Sequence, residues 1–122
     1  MSYEFYKTVH LFGVFLVLTS LMAALMVGEA SQPIPDTARK RIAMTHGIGL
    51  LIALVAAFGT LAKMPGSMAG GLPLWVSFKL VLWLLLGAGI AIVKRLRTQR
   101  VLLSWIIPLF GALGAWIAIT KP

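Results

Sequence analysis

The chain has 122 residues, of which 60% are hydrophobic, with a formal net charge of +8 and no cysteine. A soluble domain of this size could not hide so much apolar surface, so lipid is the expected solvent for most of the chain. The lack of cysteine excludes disulfides, zinc–thiolate sites and iron–sulfur clusters, and the positive charges cluster between apolar runs, which points to membrane topology and attraction to anionic lipid rather than to nucleic acid.

Four apolar segments follow one another, at residues 6–27, 42–62, 74–93 and 101–119. Each is about 20 residues, the length that crosses a ~30 Å hydrocarbon core as helix. Helix also satisfies the backbone where no water is present. The predicted helices cover about 3–29, 37–62, 73–96 and 99–120, in a single domain over 1–122. The first segment is followed by Gly28-Glu29-Ala30, which is similar to a signal-peptide cleavage site. Its apolar run is longer than a signal-peptide core and Glu4 offsets Lys7 before it, so a retained helix is expected. The connection EASQPIPDTARKR leads into the second segment, the Gly/Pro turn KMPGSMAGGLP into the third, and KRLRTQR into the fourth. Such short connections make neighbours antiparallel, and the expected fold is all-α: an integral membrane up-down four-helix bundle.

Lysines and arginines set the orientation. Arg39, Lys40, Arg41, Lys94, Arg95, Arg97 and Arg100 fall at one end, and Lys7, Lys63 and Lys121 at the other. The positive-inside rule therefore places both termini on the non-cytoplasmic side, with Tyr3, Tyr6 and Trp75 in the outer aromatic belt. The expected location is a bacterial inner (plasma) membrane or its equivalent.

Small residues recur at helical spacing. The second segment has His46, Gly49, Ala53, Ala56, Ala57 and Thr60 on one stripe. The third has Gly87, Ala88 and Ala91, and the fourth Ser104, Pro108, Gly111, Ala115 and Ala118. Such stripes serve as packing seams between helices, or leave room for a flat cofactor. Pro108 is expected to kink or loosen its helix.

Apart from Lys7, counted above at the outer end, the charged or histidine side chains within the spans are His10, His46 and Lys79, while Glu4, Glu29 and Asp36 lie in ends or connections. Lys79 stands in WVSFKLVLWLLL with no carboxylate at its own depth. It must snorkel to the headgroups, meet a carbonyl or water, become neutral, or hold a ligand's negative group. At 1.5 Å per residue, Lys79 lies about 9 Å below Pro73 and His10 about 6 Å below Tyr6, so the two share a level. His46 starts from the opposite face, about 15–20 Å away along the membrane normal, too far to pair with His10 on one metal. His10 with Lys79 makes a site where an imidazole could bind iron and an ammonium could hold a propionate. His46 serves a structural hydrogen bond, or an inner His/Met haem site with Met22, Met26 or Met44. There is no HExxH, no convincing nucleophile near a histidine and no general-acid carboxylate in the spans, which disfavours protease and hydrolase roles.

These residues carry two resemblances. YEFYKTVHLFGVFLVLTSLMA and WVSFKLVLWLLL resemble the first and third helices of the HemJ-type protoporphyrinogen oxidases, in the Tyr, Lys, His order and in a tryptophan four residues before a lysine. The tryptophan and arginine of that family's first helix have no counterpart here. The resemblance implies haem b, oxidation of protoporphyrinogen, and key roles for His10 and Lys79. The chain also resembles the SirB-like membrane proteins over more of its length, through His10, RKRIAMTH up to His46, Trp75 to Lys79, and AITKP. It lacks the aspartate which that family has after the second histidine.

The expected protein therefore binds a b-type haem or porphyrin in its outer half, for redox chemistry or porphyrin oxidation by the bound group. His10 is the expected metal ligand or proton acceptor and Lys79 its catalytic and propionate-holding partner, with His46 a further cofactor contact. The alternative is a non-catalytic subunit or accessory protein without cofactor, packed against copies of itself or another membrane protein. A small transporter is a third reading and would need a larger assembly. Nucleic acid is not an expected partner.

Overall fold

The computed structural model describes residues 2–27, 34–64, 70–71 and 73–120. Glu29, the Gly28-Glu29-Ala30 motif, the centre of the Gly/Pro turn and Lys121 lie outside the described residues. Every regular element among those described is helical: α1 Tyr3–Val27, α2 Asp36–Ala62, α3 Leu74–Gly87, α4 Gly89–Arg95 and α5 Arg100–Thr120, with a 3-10 turn at Arg97–Gln99 before α5. Three helices (α1, α2 and α5) are long and apolar enough to cross a membrane, and α3 with α4 makes a fourth such span if the bent pair is counted as one.

The helices begin and hold as their sequences require. Ser2 caps α1 by accepting the Phe5 N–H at 3.1 Å. Thr8, Thr60 and Thr120 each donate a hydroxyl to the carbonyl four residues earlier, at 2.8, 2.9 and 2.9 Å. This satisfies the hydroxyl without a partner outside the helix. Buried side-chain polar atoms among the described residues all have hydrogen-bond partners.

The α1–α2 pair forms the most extensive contact, and glycine makes it so. A Cβ at Gly13 would lie 2.6 Å from the Ala53 nitrogen and 2.9 Å from the Gly49 oxygen, so the two backbones touch. A Cβ on Gly49 would in turn meet the Gly13 carbonyl oxygen at 2.9 Å. The expected second-segment stripe is thus a packing seam: His46, Gly49, Ala53 and Ala56 are buried. Its partner on α1 is Gly13. Further along, the Tyr6 ring lies against Gly59 where a side chain would stand.

The third span departs from the single helix expected over 73–96. It bends by 47° between α3 and α4, where Gly87-Ala88-Gly89 places two glycines about one residue, a composition that lowers resistance to bending. Beyond the bend α4 closes on α1: a Cβ at Gly89 would lie 2.6 Å from Leu21 Cδ2. Before it, α3 stands clear and buries no residue. The expected seam of Gly87, Ala88 and Ala91 is not formed within the chain, since all three are exposed. α5 runs as one helix through Pro108, whose ring is on an exposed face.

The bend divides the bundle into two halves. In one, Val17, Leu21 and Leu25 of α1 pack with Val93 of α4 and Leu103 and Ile107 of α5 as a closed core. In the other, α1 packs on α2 and α5, while α3 touches those same two helices. There the helices leave a cleft among them.

Candidate functional site

Residues of α1, α2, α3 and α5 line this cleft. Its lining residues run from Tyr3, Met64 and Trp75 at one end to Val17, Leu50 and Leu86 at the other. From residue 3 to residue 17 along α1 it is roughly 21 Å long by helical rise. The wall is mostly apolar. The charged or titratable side chains that interrupt it are Lys7 and His10 from α1 and Lys79 from α3, with the Tyr3 phenol beside them. No aspartate or glutamate lines it among the described residues.

Lys7, His10, Val14 and Val17 share the cleft face of α1 because they recur at spacings of three and four. His10 is fixed in place by α2. Its Nδ1 donates to the Ala53 carbonyl oxygen at 2.7 Å, and Ala53 is the residue whose backbone touches Gly13, one turn along α1. The close helix approach and the histidine anchor are therefore one feature. A proton on Nδ1 leaves Nε2 with a lone pair, on a ring that lines the cleft. A histidine whose other nitrogen donates to a backbone carbonyl is the usual arrangement of a metal-ligating imidazole. Lys79 of α3 lines the same cleft.

His46 is placed elsewhere. It is buried on α2 and donates from Nε2 to the Leu86 carbonyl at 2.9 Å, and it is not part of the cleft wall. Trp83 returns the connection by donating Nε1 to the Leu50 carbonyl at 2.9 Å. His46 and Leu50 are four apart on α2, and Trp83 and Leu86 three apart on α3. Together they tie α3 to α2 just before the bend. Met22, Met26 and Met44, the candidate partners of His46, do not line the cleft either. Met22 packs against the closed core, and Met26 and Met44 are exposed.

The structure thus brings His10 and Lys79 to one cavity and keeps His46 apart. Sequence reasoning missed three contributors. Lys7 was not expected in the site, although its spacing of three from His10 puts it on the same face. Trp83 looked like one more apolar residue of α3. Met64 lay in a turn region and adds a thioether to the wall.

The side chains that line the cleft include one imidazole, two lysines and a mostly apolar wall. A cluster of three or more His, Cys, Asp or Glu side chains able to hold a bare metal ion is absent among the described residues. Comparison of the chain with protein-family models, with curated proteins and with solved structures gives no match.

Proposed function

We propose that this is an integral membrane four-helix protein, termini on the non-cytoplasmic side, that holds a b-type haem or porphyrin in its outer half. The exterior supports the membrane reading. Phe15, Leu51, Leu84 and Trp116 are all about 60% exposed, and Ile119 is 82% exposed. Apolar side chains of this size cover the outside as they do the core, which suits lipid and not water. The basic residues Arg39, Lys40, Arg41, Lys94 and Arg95 lie exposed at the end away from the cleft, which supports a cytoplasmic closed half.

The single observation that carries the cofactor reading is the His10 Nδ1–Ala53 bond at 2.7 Å, which leaves Nε2 in a cleft shared with Lys79. His10 would supply the axial imidazole and Lys79 a counter-charge for a propionate. A haem held there supplies one-electron redox chemistry. The protein orients it through His10, keeps water from the macrocycle with the apolar wall, and places an ammonium beside the ligand's acidic edge. Oxidation of a porphyrinogen is the reaction favoured by the resemblance to the HemJ-type oxidases.

The test is the absorption spectrum of the protein purified in mild detergent from haem-supplied cells, oxidised and then reduced, beside His10→Ala. A Soret band with reduced b-type α and β bands, lost in the variant, is the expected result. The second reading, a cofactor-free subunit, draws on the outward small residues Gly87, Ala88 and Ala91, a face on which another helix could approach closely. Colourless protein despite added haem supports that reading.

A further inference from the structure

We infer that the hollow at the beginning of α5 binds an anionic phospholipid of the cytoplasmic leaflet, with Arg100 holding its phosphate. The inference rests on the membrane and orientation reading above and is independent of the haem.

The hollow is lined by Thr98, Gln99, Arg100, Val101, Leu102 and Trp105. Its chemistry changes along the chain. The first three side chains are polar or charged, and the last three are apolar or aromatic. Val101 and Leu102 stand four and three residues before Trp105, so the three share one face of α5. All three are exposed, while Leu103 and Ile107 carry the opposite side of the helix into the closed core. From Arg100 to Trp105 the helix rises about 7.5 Å. The headgroup layer on each side of a bilayer is of similar thickness, about 5–7 Å, so Arg100 can stand among phosphates while Trp105 stands among acyl chains.

Charge names the occupant. Lys94, Arg95 and Arg100 fall on the α4–α5 connection, and the sequence has no acidic residue after Asp36. A guanidinium matches a phosphate with two parallel N–H donors. A tryptophan at the boundary of headgroup and hydrocarbon serves both with one amphipathic ring. The leaflet that carries anionic lipid faces the cytoplasm, the side given to this end by the proposed orientation. A free phosphate would meet Arg100 and leave Val101, Leu102 and Trp105 uncovered. A zwitterionic lipid would cover them and leave the excess positive charge of the connection unbalanced. An anionic phospholipid does both.

The probe is the full chain in vesicles of equal parts phosphatidylcholine and phosphatidylglycerol, with dibrominated acyl chains on one lipid or the other. Bromine quenches tryptophan on contact, and the quenching present in wild type but missing in Trp105→Phe belongs to Trp105. The phosphatidylglycerol should be favoured at Trp105 about fivefold, the scale of one cation acting near a charged surface. Trp116, exposed towards the other end of α5 and outside the hollow, is read in the same way from Trp116→Phe and should show no preference. Arg100→Gln should remove the preference at Trp105, and Arg100→Lys should keep most of it. Lys40→Gln removes an exposed charge from the same end outside the hollow and should change nothing. Equal contact of the two lipids with Trp105 in wild type overturns the inference and leaves the membrane reading standing. So does a preference as large at Trp116, or a loss in Lys40→Gln that matches Arg100→Gln, since either means diffuse attraction without a site. If brominated lipid quenches no tryptophan of the wild type, the membrane reading falls and the inference with it.

Discussion

A single methyl group at residue 13 tests how the fold serves the site. In Gly13→Ala the added Cβ would stand 2.6 Å from the Ala53 nitrogen, 2.9 Å from the Gly49 oxygen and 3.0 Å from the Ala53 Cα. All three are backbone atoms, so no rotamer change relieves the contact. Optimal non-bonded separation is about 3.5 Å, and α1 and α2 must part by about 0.9 Å at this point. Overpacking of this kind costs about 1–3 kcal/mol. The same shift pulls on the His10–Ala53 hydrogen bond, now 2.7 Å, and carries it towards the limit of useful geometry. Gly13→Ala should therefore lower both the stability and the haem occupancy. Gly47→Ala is the control. Gly47 is exposed in α2, and nothing lies within 4 Å of its would-be Cβ, so the change should stabilise α2 by about 0.5–1 kcal/mol through helix propensity alone. Denaturation in mixed micelles of increasing sodium dodecyl sulfate, followed by circular dichroism and Soret absorbance, reads both effects. Equal midpoints for Gly13→Ala and wild type would refute the backbone contact, and an unchanged Soret band in a destabilised variant would uncouple it from His10.

Other outcomes follow from single contacts. Trp83→Phe removes the bond to the Leu50 carbonyl and should cost about 0.5–1 kcal/mol in the same denaturation; an unchanged midpoint speaks against the tie between α3 and α2. His46→Phe should lower stability by a similar amount, about 1 kcal/mol, and leave the Soret maximum where it was, since His46 does not line the cleft. A shifted maximum would return His46 to the cofactor. Replacing Lys79 by Arg, Met or Gln should weaken haem binding in all three if the ammonium holds the ligand, whereas near-normal binding in Lys79→Arg alone indicates a snorkelling cation. For topology, single cysteines at Lys40→Cys and Lys63→Cys should react with an impermeant maleimide from the cytoplasmic and outer sides respectively; labelling from the same side rules out the four-span arrangement.

The helical class and the positions of the apolar runs were legible because length and hydropathy decide them with little help from packing. The small-residue seam of α2 was legible for the same reason that it packs: small residues at spacings of three and four have no other face to serve. The third span was not. Two glycines around Ala88 permit a bend, but its direction and size come from Leu21 filling the place beside Gly89 and from His46 and Trp83 tying α3 to α2. None of these is a neighbour in sequence. Within the cleft, residue counting alone put His10 and Lys79 at one level. Lys7 was not placed in the site because a lysine near a membrane surface reads first as a topology signal. The hydrogen bond that fixes the His10 ring could not be read at all, since its acceptor is a backbone carbonyl and any residue could have supplied it.

The most direct test of the cleft's chemistry is to replace the His10 imidazole from solution. His10→Gly protein, purified with haem supplied, is titrated with free imidazole while the Soret band and the reduced α band are recorded against wild type. If His10 Nε2 is the axial ligand, His10→Gly loses the b-type spectrum and imidazole restores it. If His10→Gly keeps the wild-type spectrum, or if wild type itself takes up no haem, His10 is not a haem ligand and its bond to Ala53 is only a helix-to-helix tie.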